Sequence, residues 1–464
     1  MDVKNALESY ASDRSFVKGF APVDVRTPKN YSEVEEIVKW ANQTKTPLVP
    51  VSSAGPHHRG GTVPQAEGAV IVDLTGMNKI IRIDKVQRIV IVEPGVTYEQ
   101  LLPELAKEGL TIAMPLSPRP GKSVMTDALE TAPRLNSMHQ WNFLDPVRCL
   151  EVVYGDGRRI FTGDAGLGPK DLEKQWENGQ FQWEPTGPFM LDFFRLLTGA
   201  QGTMGIVTWA ALRCEFLPKA QSAYFVSADK AEDLLGFVRA LLRIRHSDGL
   251  FIANRAQLCE LYGKDADFAE WTVVVNFTGR HDIMPQGRVD YQTKDAEEIA
   301  AGFGLKLEKT VGGVNADELF EKASTPGTTD FRENKAGTYQ EIMFETTLDK
   351  VPEFTQIVLS LAETAGFFAD DIGVYAQPEN LAVSYRLTFL LPYDANDADE
   401  TARMKKLFED ASRAVSEKDA YFIRPYGMWA DLQMAKDEES LKILRQLKEV
   451  FDPNHILNPG KLCL

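Results

Sequence analysis

Cysteine is scarce: only Cys149, Cys214, Cys259 and Cys463 occur in 464 residues, and no two form a Cys-x-x-Cys pair. Zinc ribbons and the usual iron–sulfur ligand runs are therefore excluded, and no metal site is expected. No disulfide framework is expected either, which makes a reducing, cytoplasmic compartment the default. No window approaches the ~18 consecutive apolar residues of a membrane span. Residues 1–14 carry acids without an apolar core, unlike a secretory leader. Basic side chains are also short in number, 51 Lys and Arg against 67 Asp and Glu, for a formal charge of −16. Nucleic acid and anionic membrane need clustered Lys and Arg, so neither is a main partner. What is present is ordinary: 44% hydrophobic and 25% charged residues, the balance of a soluble enzyme. The length suits one two-lobed unit or two to three domains.

Residues 28–110 alternate helix and strand signals. Ser32 with Glu35 predicts a capping box for a helix over 32–43, whose Val34, Ile37, Val38 and Ala41 share one face. An apolar run at 47–51 enters a small-residue loop at 52–61, and β-branched runs at 69–74 and 88–93 predict strands. Thr97 with Gln100 caps another helix ending at Gly109, with Pro103 expected to delay its start. Residues 111–148, rich in Pro, Ser, Thr and Asn, read as a long irregular loop of functional type. Runs at 149–154 and 158–162 predict strands around the turn Gly155-Asp156-Gly157. A polar insertion at 163–188 and a helical stretch at 191–198 follow. Past Pro218 the texture changes. Strands at 271–277, 341–346 and 382–391 alternate with amphipathic helices at 229–245, 353–365 and 399–416, an α+β lobe with a mainly antiparallel sheet. A last helix, 438–451, closes the chain before its final turn-rich segment.

Two loops carry the first chemical signal. In Ser52-Ser53-Ala54-Gly55-Pro56-His57-His58-Arg59-Gly60-Gly61, small residues let backbone N–H groups approach an anion, as a nest around phosphate oxygens does. The same composition also makes ordinary turns, and the loop is neither a Walker A sequence nor a dinucleotide G-x-G-x-x-G. Gly199, Gly202 and Gly205, ahead of Ile206-Val207-Thr208, either let main chain lie against a flat ligand or form a glycine-rich hairpin connection.

Taken in order, these loops join Pro28-x-x-Tyr31-Ser32-x-Val34, Ile71-Val72-Asp73-Leu74, Val92-Glu93-Pro94-Gly95-Val96, Leu150-Glu151-Val152-Val153 and Asp156-Gly157. The chain then ends on Asp452-Pro453-Asn454-x-Ile456-Leu457-Asn458-Pro459-Gly460-Lys461. The set resembles the FAD-binding domain of the vanillyl-alcohol oxidase / p-cresol methylhydroxylase family, which includes glycolate- and D-lactate-dehydrogenase-type flavoproteins. The resemblance covers about residues 25–215 and 420–464. It implies an α+β fold, with a two-subdomain FAD-binding domain at 1–218, an α+β cap with antiparallel sheet at 219–434, and a segment at 435–464 returning to the FAD domain. It implies FAD in an extended pose, with pyrophosphate on Ser52, Ser53, Ala54, Gly55, Pro56 and His57. Pro94, Gly95, Gly202, Gly205, Ile206 and Val207 would line the cofactor, and Asn458 and Lys461 would return to it from the far end.

The departures from the family are informative. Many relatives carry Arg-Gly-Gly-Gly-Thr-Ser in the first loop, and the stretch after Pro115 here reads Gly121-Lys122-Ser123-Val124-Met125-Thr126 in place of the usual Gly-Gly pattern. The segment Tyr421-Phe422-Ile423-Arg424-Pro425-Tyr426 resembles one in the phenol-oxidising branch whose arginine maps onto Arg424. The tyrosine beside that arginine maps onto Ile423, a first-loop tyrosine onto Arg59, and an acid near flavin N5 onto Asn142. Phenolate-holding tyrosines are thus replaced and a cation gained. Two guanidinium groups facing the cavity suit a carboxylate-bearing substrate, which they match bidentately; the alternative is that they pair with carboxylates of the chain or with the FAD phosphates. Tyr426 is included with them, and His57, His58 and His139 are candidate acceptors for a hydroxyl proton.

The resemblance implies an FAD-dependent oxidoreductase that oxidises a hydroxylated small molecule by hydride transfer. Its electrons would go to a partner: an iron–sulfur subunit, an electron-transfer flavoprotein or a cytochrome. Direct reaction with oxygen on phenols or alcohols, and a non-catalytic flavoprotein subunit, are the alternatives. A homo-oligomer is compatible with all three.

Overall fold

The computed structural model describes residues 7–8, 10–138, 146–187, 192–280 and 282–464. Asn30, not Ser32, caps the first helix, Tyr31–Thr44. Its Oδ1 accepts from the Glu33 N–H at 3.1 Å while the Glu33 carboxylate accepts from the Lys29 N–H at 2.8 Å. The capping box is real but starts two residues earlier than predicted, because the Asn30 side chain already satisfies the free amide. Val34, Ile37, Val38 and Ala41 pack on Leu48, Val70 and Val72 of a small parallel sheet. Its order is Asp24–Arg26, Val70–Asp73, Leu48–Val51. The small-residue loop leaves the end of Leu48–Val51. The C-terminal segment docks on the free edge of that strand, with the Leu48 N–H donating to the Ile456 carbonyl at 2.6 Å and the Asn458 N–H to the Leu48 carbonyl at 2.8 Å.

A second sheet has the order Ile80–Asp84, Ile89–Val92, Gly205–Arg213, Val147–Tyr154, Arg159–Phe161, with every pairing antiparallel. Helix Tyr98–Lys107 is capped by Thr97 Oγ1, which accepts from the Gln100 N–H at 3.4 Å. Pro103 does not delay it: burial of Tyr98, Leu101 and Leu105 sets the start, and the proline forfeits one backbone bond near the first turns. Residues 111–148 are not wholly irregular. Ser123 caps the six-residue helix Val124–Leu129, too short to show a helical period in sequence.

The largest sheet has six strands, all paired antiparallel, in the order Ala220–Ala228, Trp271–Gly279, Gly249–Asn254, Gly373–Glu379, Ser384–Pro392, Tyr339–Thr346. Phe237, Val238, Ala296, Val358 and Leu407 from four helices pack on one face with Val275 and Phe389. The opposite face sends Phe251, Val274 and Tyr375 into the cluster that holds Leu116, Leu135 and Leu212. The architecture is α+β, and strand alternation (period two) lets one sheet serve both clusters. Among the described residues no helix is long and apolar enough to cross a membrane.

One buried ion pair fixes the returning C-terminus. Lys448 Nζ donates to Asp452 Oδ2 at 2.6 Å, to the Thr203 carbonyl at 2.5 Å and to the Leu457 carbonyl at 2.8 Å. Asp452 in turn accepts the Ile456 and Leu457 N–H groups at 3.1 and 2.8 Å. The helix Glu438–Phe451 is thereby tied to the glycine turn and to the parallel sheet. Lys448→Met strips a fully buried carboxylate of its cation, so a loss of about 3–5 kcal/mol in urea unfolding is expected. A loss below about 1 kcal/mol, within the range of an exposed pair, would contradict this role.

Candidate active site

Between the three sheets lies an open cleft of about 1900 Å³, its solvent-filled mouth included. One stretch of its wall is Pro50, Ser52, Ser53, Gly199, Gly202 and Gly205 with Ile206 and Val207; another is Arg59, Tyr339, Glu341, Arg424 and Tyr426.

The small-residue loop contributes backbone more than side chain. Ser53 Oγ accepts from the Ser123 N–H at 3.0 Å, Ser52 Oγ pairs with Thr126 Oγ1, and the Ala54 N–H donates to the Gly121 carbonyl at 3.0 Å. The two hydroxyls therefore brace the short helix. The N–H groups of Gly55, His57 and His58 donate to no described residue and remain for an anion. Ala54, Gly55 and Pro56 are exposed beside the wall rather than in it. Gly199, at φ 71°, has nothing within 4 Å of where a Cβ would stand, so a flat ligand can lie against its backbone. Gly202 and Gly205 are tight for another reason: a Cβ there would strike Pro50 and Val152.

Pro94 and Gly95 are not brought to the cleft. The Pro94 carbonyl accepts from Ser123 Oγ and so supports the helix from behind, while the Gly95 N–H donates to the Met77 carbonyl at 2.7 Å. Asn458 and Lys461 reach the first loop without lining this cleft. Asn458 Nδ2 donates to the Gln201 carbonyl at 2.7 Å, and Lys461 Nζ to the Gly60 and Val63 carbonyls at 2.6 and 2.8 Å. His139 and Asn142 lie outside the described residues.

Arg59 and Arg424 do line the cleft, but neither is an unpaired cation. Arg59 Nη2 meets Glu341 Oε2 at 2.8 Å. Glu341 Oε1 meets Arg332 Nε at 3.0 Å, and Arg332 Nη1 meets Asp330 Oδ1 at 2.9 Å. Arg424 Nη2 and Lys122 Nζ converge on Glu130 Oε2 at 2.7 and 2.8 Å. The expectation of two arginines waiting for a substrate anion is corrected, because a guanidinium withdrawn from water needs its counter-ion when the chain folds. Nothing local marked Glu130, Asp330 or Glu341; they become partners through the tertiary fold. Burial alone would raise the Glu130 carboxyl, but Lys122, Arg424 and Arg59 outweigh it and hold it well below the usual range. Glu341 is likewise lowered, burial being overcome by Arg332 and Arg59.

Two of the predicted histidines meet at this wall. Burial, reinforced by Arg119, lowers His57 to about 4 and His58 to about 3. His58 stacks on Tyr339 with ring centres 4.7 Å apart, and both its ring nitrogens are buried without a hydrogen-bond partner. Its ring, Asp330 and Glu333 bring ligand-type atoms within 4.8 Å of one another. Asp330 already binds Arg332 and Tyr339, and Glu333 binds Arg14, so a cation there would meet neutralised carboxylates. Tyr426 completes the wall, its phenol raised by burial beside Glu130.

The profile described as FAD binding domain matches residues 22–163, and that of FAD linked oxidases, C-terminal domain, matches 426–462. The chain thus carries an FAD-binding domain and the C-terminal domain of FAD-linked oxidases. It is an FAD-dependent oxidoreductase, and FAD is its cofactor. Among curated proteins it is similar to a D-2-hydroxyglutarate dehydrogenase of Xanthomonas citri pv. viticola, 23% identical over 98% of this chain and 92% of the relative. It is similar also to a D-lactate dehydrogenase of Anaerostipes hadrus, 24% identical over 98% and 93%. A solved structure, 4-ethylphenol oxidase from Gulosibacter chungangensis in complex with isoeugenol, shares the fold with TM-score 0.81 at 16% identity, covering 99% of this chain and 93% of that one. The free loop amides, the open Gly199 backbone and the long cleft all fit a flavin dinucleotide.

The flavoprotein's buried histidines set an acid limb. Folded, His57 and His58 take protons only near pH 4 and 3; unfolded, each does so near ~6.5. Between those values the unfolded chain binds more protons, so their contribution is intact above about pH 6.5 and lost as pH falls toward 4. Thermal unfolding across pH 7 to 4 is expected to show a smaller decline for His57→Asn/His58→Asn than for the unmutated chain. Equal slopes would contradict the burial of neutral imidazoles.

Proposed function

We propose that this flavoprotein is a dehydrogenase that oxidises a small hydroxy acid to the corresponding oxo acid and passes the electrons to a separate redox protein. The observation that carries this reading is the charge of the cleft wall. Arg59, Arg119, Lys122, Arg332 and Arg424 stand against Asp127, Glu130, Asp330 and Glu341, and Asp127 is shared with Arg134 outside the cleft. A partly desolvated wall with more cations than carboxylates favours an anionic guest. The two curated relatives described above, both named for hydroxy acids, support the same class.

On this reading residues 1–218 with 435–464 hold FAD and residues 219–434 cap it. Ser52–Ser53 backbone, the free amides of Gly55, His57 and His58 and the 199–207 wall seat the cofactor, which supplies the hydride acceptor. His58 takes the hydroxyl proton: it is neutral near pH 7 and its ring nitrogens make no hydrogen bond to the described residues. A bound carboxylate offsets the positive field of Arg119 and Arg59 on His58 and so raises its affinity for that proton. The Arg59–Glu341 and Arg424–Glu130 pairs hold the wall in place around it. A relative named as a cytochrome-linked D-lactate dehydrogenase and one named as a flavoprotein subunit support a partner protein as electron acceptor; the four free thiols suit a cytoplasmic setting.

Anaerobic titration of the purified yellow protein tests the proposal. D-lactate, D-2-hydroxyglutarate or a related 2-hydroxy acid is expected to bleach the visible flavin band, while neutral alcohols and alkylphenols leave it intact. His58→Asn is expected to keep FAD and slow bleaching by about 10²–10⁴-fold. Bleaching by phenols alone would overturn the substrate class, and bleaching by nothing would favour a non-catalytic subunit.

A further inference from the structure

We propose that Arg119 selects the substrate by receiving its carboxylate. This rests on the hydroxy-acid reading and adds to it a residue from outside the cap. Of the basic side chains lining the cleft, Arg119 differs in kind: among the described residues no carboxylate lies within 4.0 Å of it, whereas Arg59, Lys122, Arg332 and Arg424 each have one. Among the described residues its guanidinium makes one hydrogen bond, from Nη1 to the neighbouring Pro120 carbonyl at 3.0 Å. That leaves most of a planar five-donor fork free, the geometry that binds a carboxylate through two parallel hydrogen bonds. Burial lowers its proton affinity although Asp330 and Glu130 act on it from a distance in the opposite sense, so the charge is partly withdrawn from water without a contact partner.

Its position is fixed rather than incidental. The backbone before it is held on the cap side, where the Ser117 N–H donates to the Ala323 carbonyl at 2.7 Å and the Gly327 N–H to the Pro118 carbonyl at 3.2 Å. The backbone after it is held on the FAD side, where the Ala54 N–H donates to the Gly121 carbonyl at 3.0 Å. Arg119 therefore stands on a strap joining both walls. It lies close enough to His57 and His58 to depress both imidazoles. A carboxylate docked on it would put the adjacent hydroxyl-bearing carbon on the histidine side of the cleft. Arg332 and Arg59 cannot serve in the same way without giving up Glu341.

The test uses FAD-loaded enzyme, with Arg119→Ala and Arg119→Lys beside the unmutated chain. The readouts are FAD content, anaerobic bleaching by D-lactate and D-2-hydroxyglutarate, and perturbation of the flavin spectrum by oxalate, which cannot react. Arg119→Ala is expected to keep its FAD while half-saturation by the hydroxy acid and by oxalate rises about 10- to 100-fold. Arg119→Lys, which keeps the charge but not the fork, should recover part of the loss. Unchanged half-saturation overturns the proposal. So does loss of FAD from Arg119→Ala, since the charge would then serve the cofactor phosphates. If hydroxy acids fail to bleach the unmutated enzyme but oxalate still binds through Arg119, the reaction class falls and the anion site stands. If neither acts on the unmutated enzyme, both fall.

Discussion

Charge withdrawn from water must be balanced where it ends up, and in this molecule that requirement joins the lobes. Arg59 leaves the loop that follows the small parallel sheet, and its counter-ion Glu341 sits on the edge strand of the six-stranded sheet. Glu341 is shared with Arg332, which in turn holds Asp330. A second bridge runs from Arg424 to Glu130 and Lys122 beside the short helix. Removing one member of such a bridge leaves its partner buried and uncompensated, a penalty of about 3–5 kcal/mol that far exceeds the value of an exposed pair. The same pairs that fix the walls also decide which charges remain for a ligand.

The cofactor side depends on a different kind of support. Two loops of small residues have little packing of their own, so the chain holds them from outside. Ser123 and Thr126 brace the first loop. Lys448 and Asn458 hold the glycine turn through the carbonyls of Thr203 and Gln201, and Lys461 holds the loop at Gly60. The C-terminal run is thus less a set of ligand contacts than a clamp, its Lys448, Asn458 and Lys461 side chains all donating to backbone carbonyls.

Much of this was legible in the sequence, and the reasons differ by element. Helix 32–43 could be read because Val34, Ile37, Val38 and Ala41 mark one face, and its cap was misplaced only because Asn30 competes with Ser32 for the same role. The strands Ile80–Asp84, Gly249–Asn254 and Gly373–Glu379 were not seen: the first is a half-buried edge, and the other two are buried on both faces and show no alternation. The family motifs located the cleft, with His57, His58, Arg59, Arg424 and Tyr426 all on its wall. The pairing state of the arginines was out of reach, because Glu341 lies 282 residues from Arg59 and Glu130 lies 294 from Arg424. Arg119 passed unnoticed for the complementary reason. What distinguishes it is a missing partner, and a missing partner has no motif.

The central claim is that the cleft seats FAD with its ring system between the 199–207 wall and the side chains of Arg424 and Tyr426. Crystals of the FAD-loaded enzyme grown with oxalate test this most directly. The account predicts density for the dinucleotide with its pyrophosphate against the amides of Gly55, His57 and His58 and the flavin ring beside Gly199. Density placing the dinucleotide anywhere outside this cleft, or in it with the ends reversed, would contradict the account.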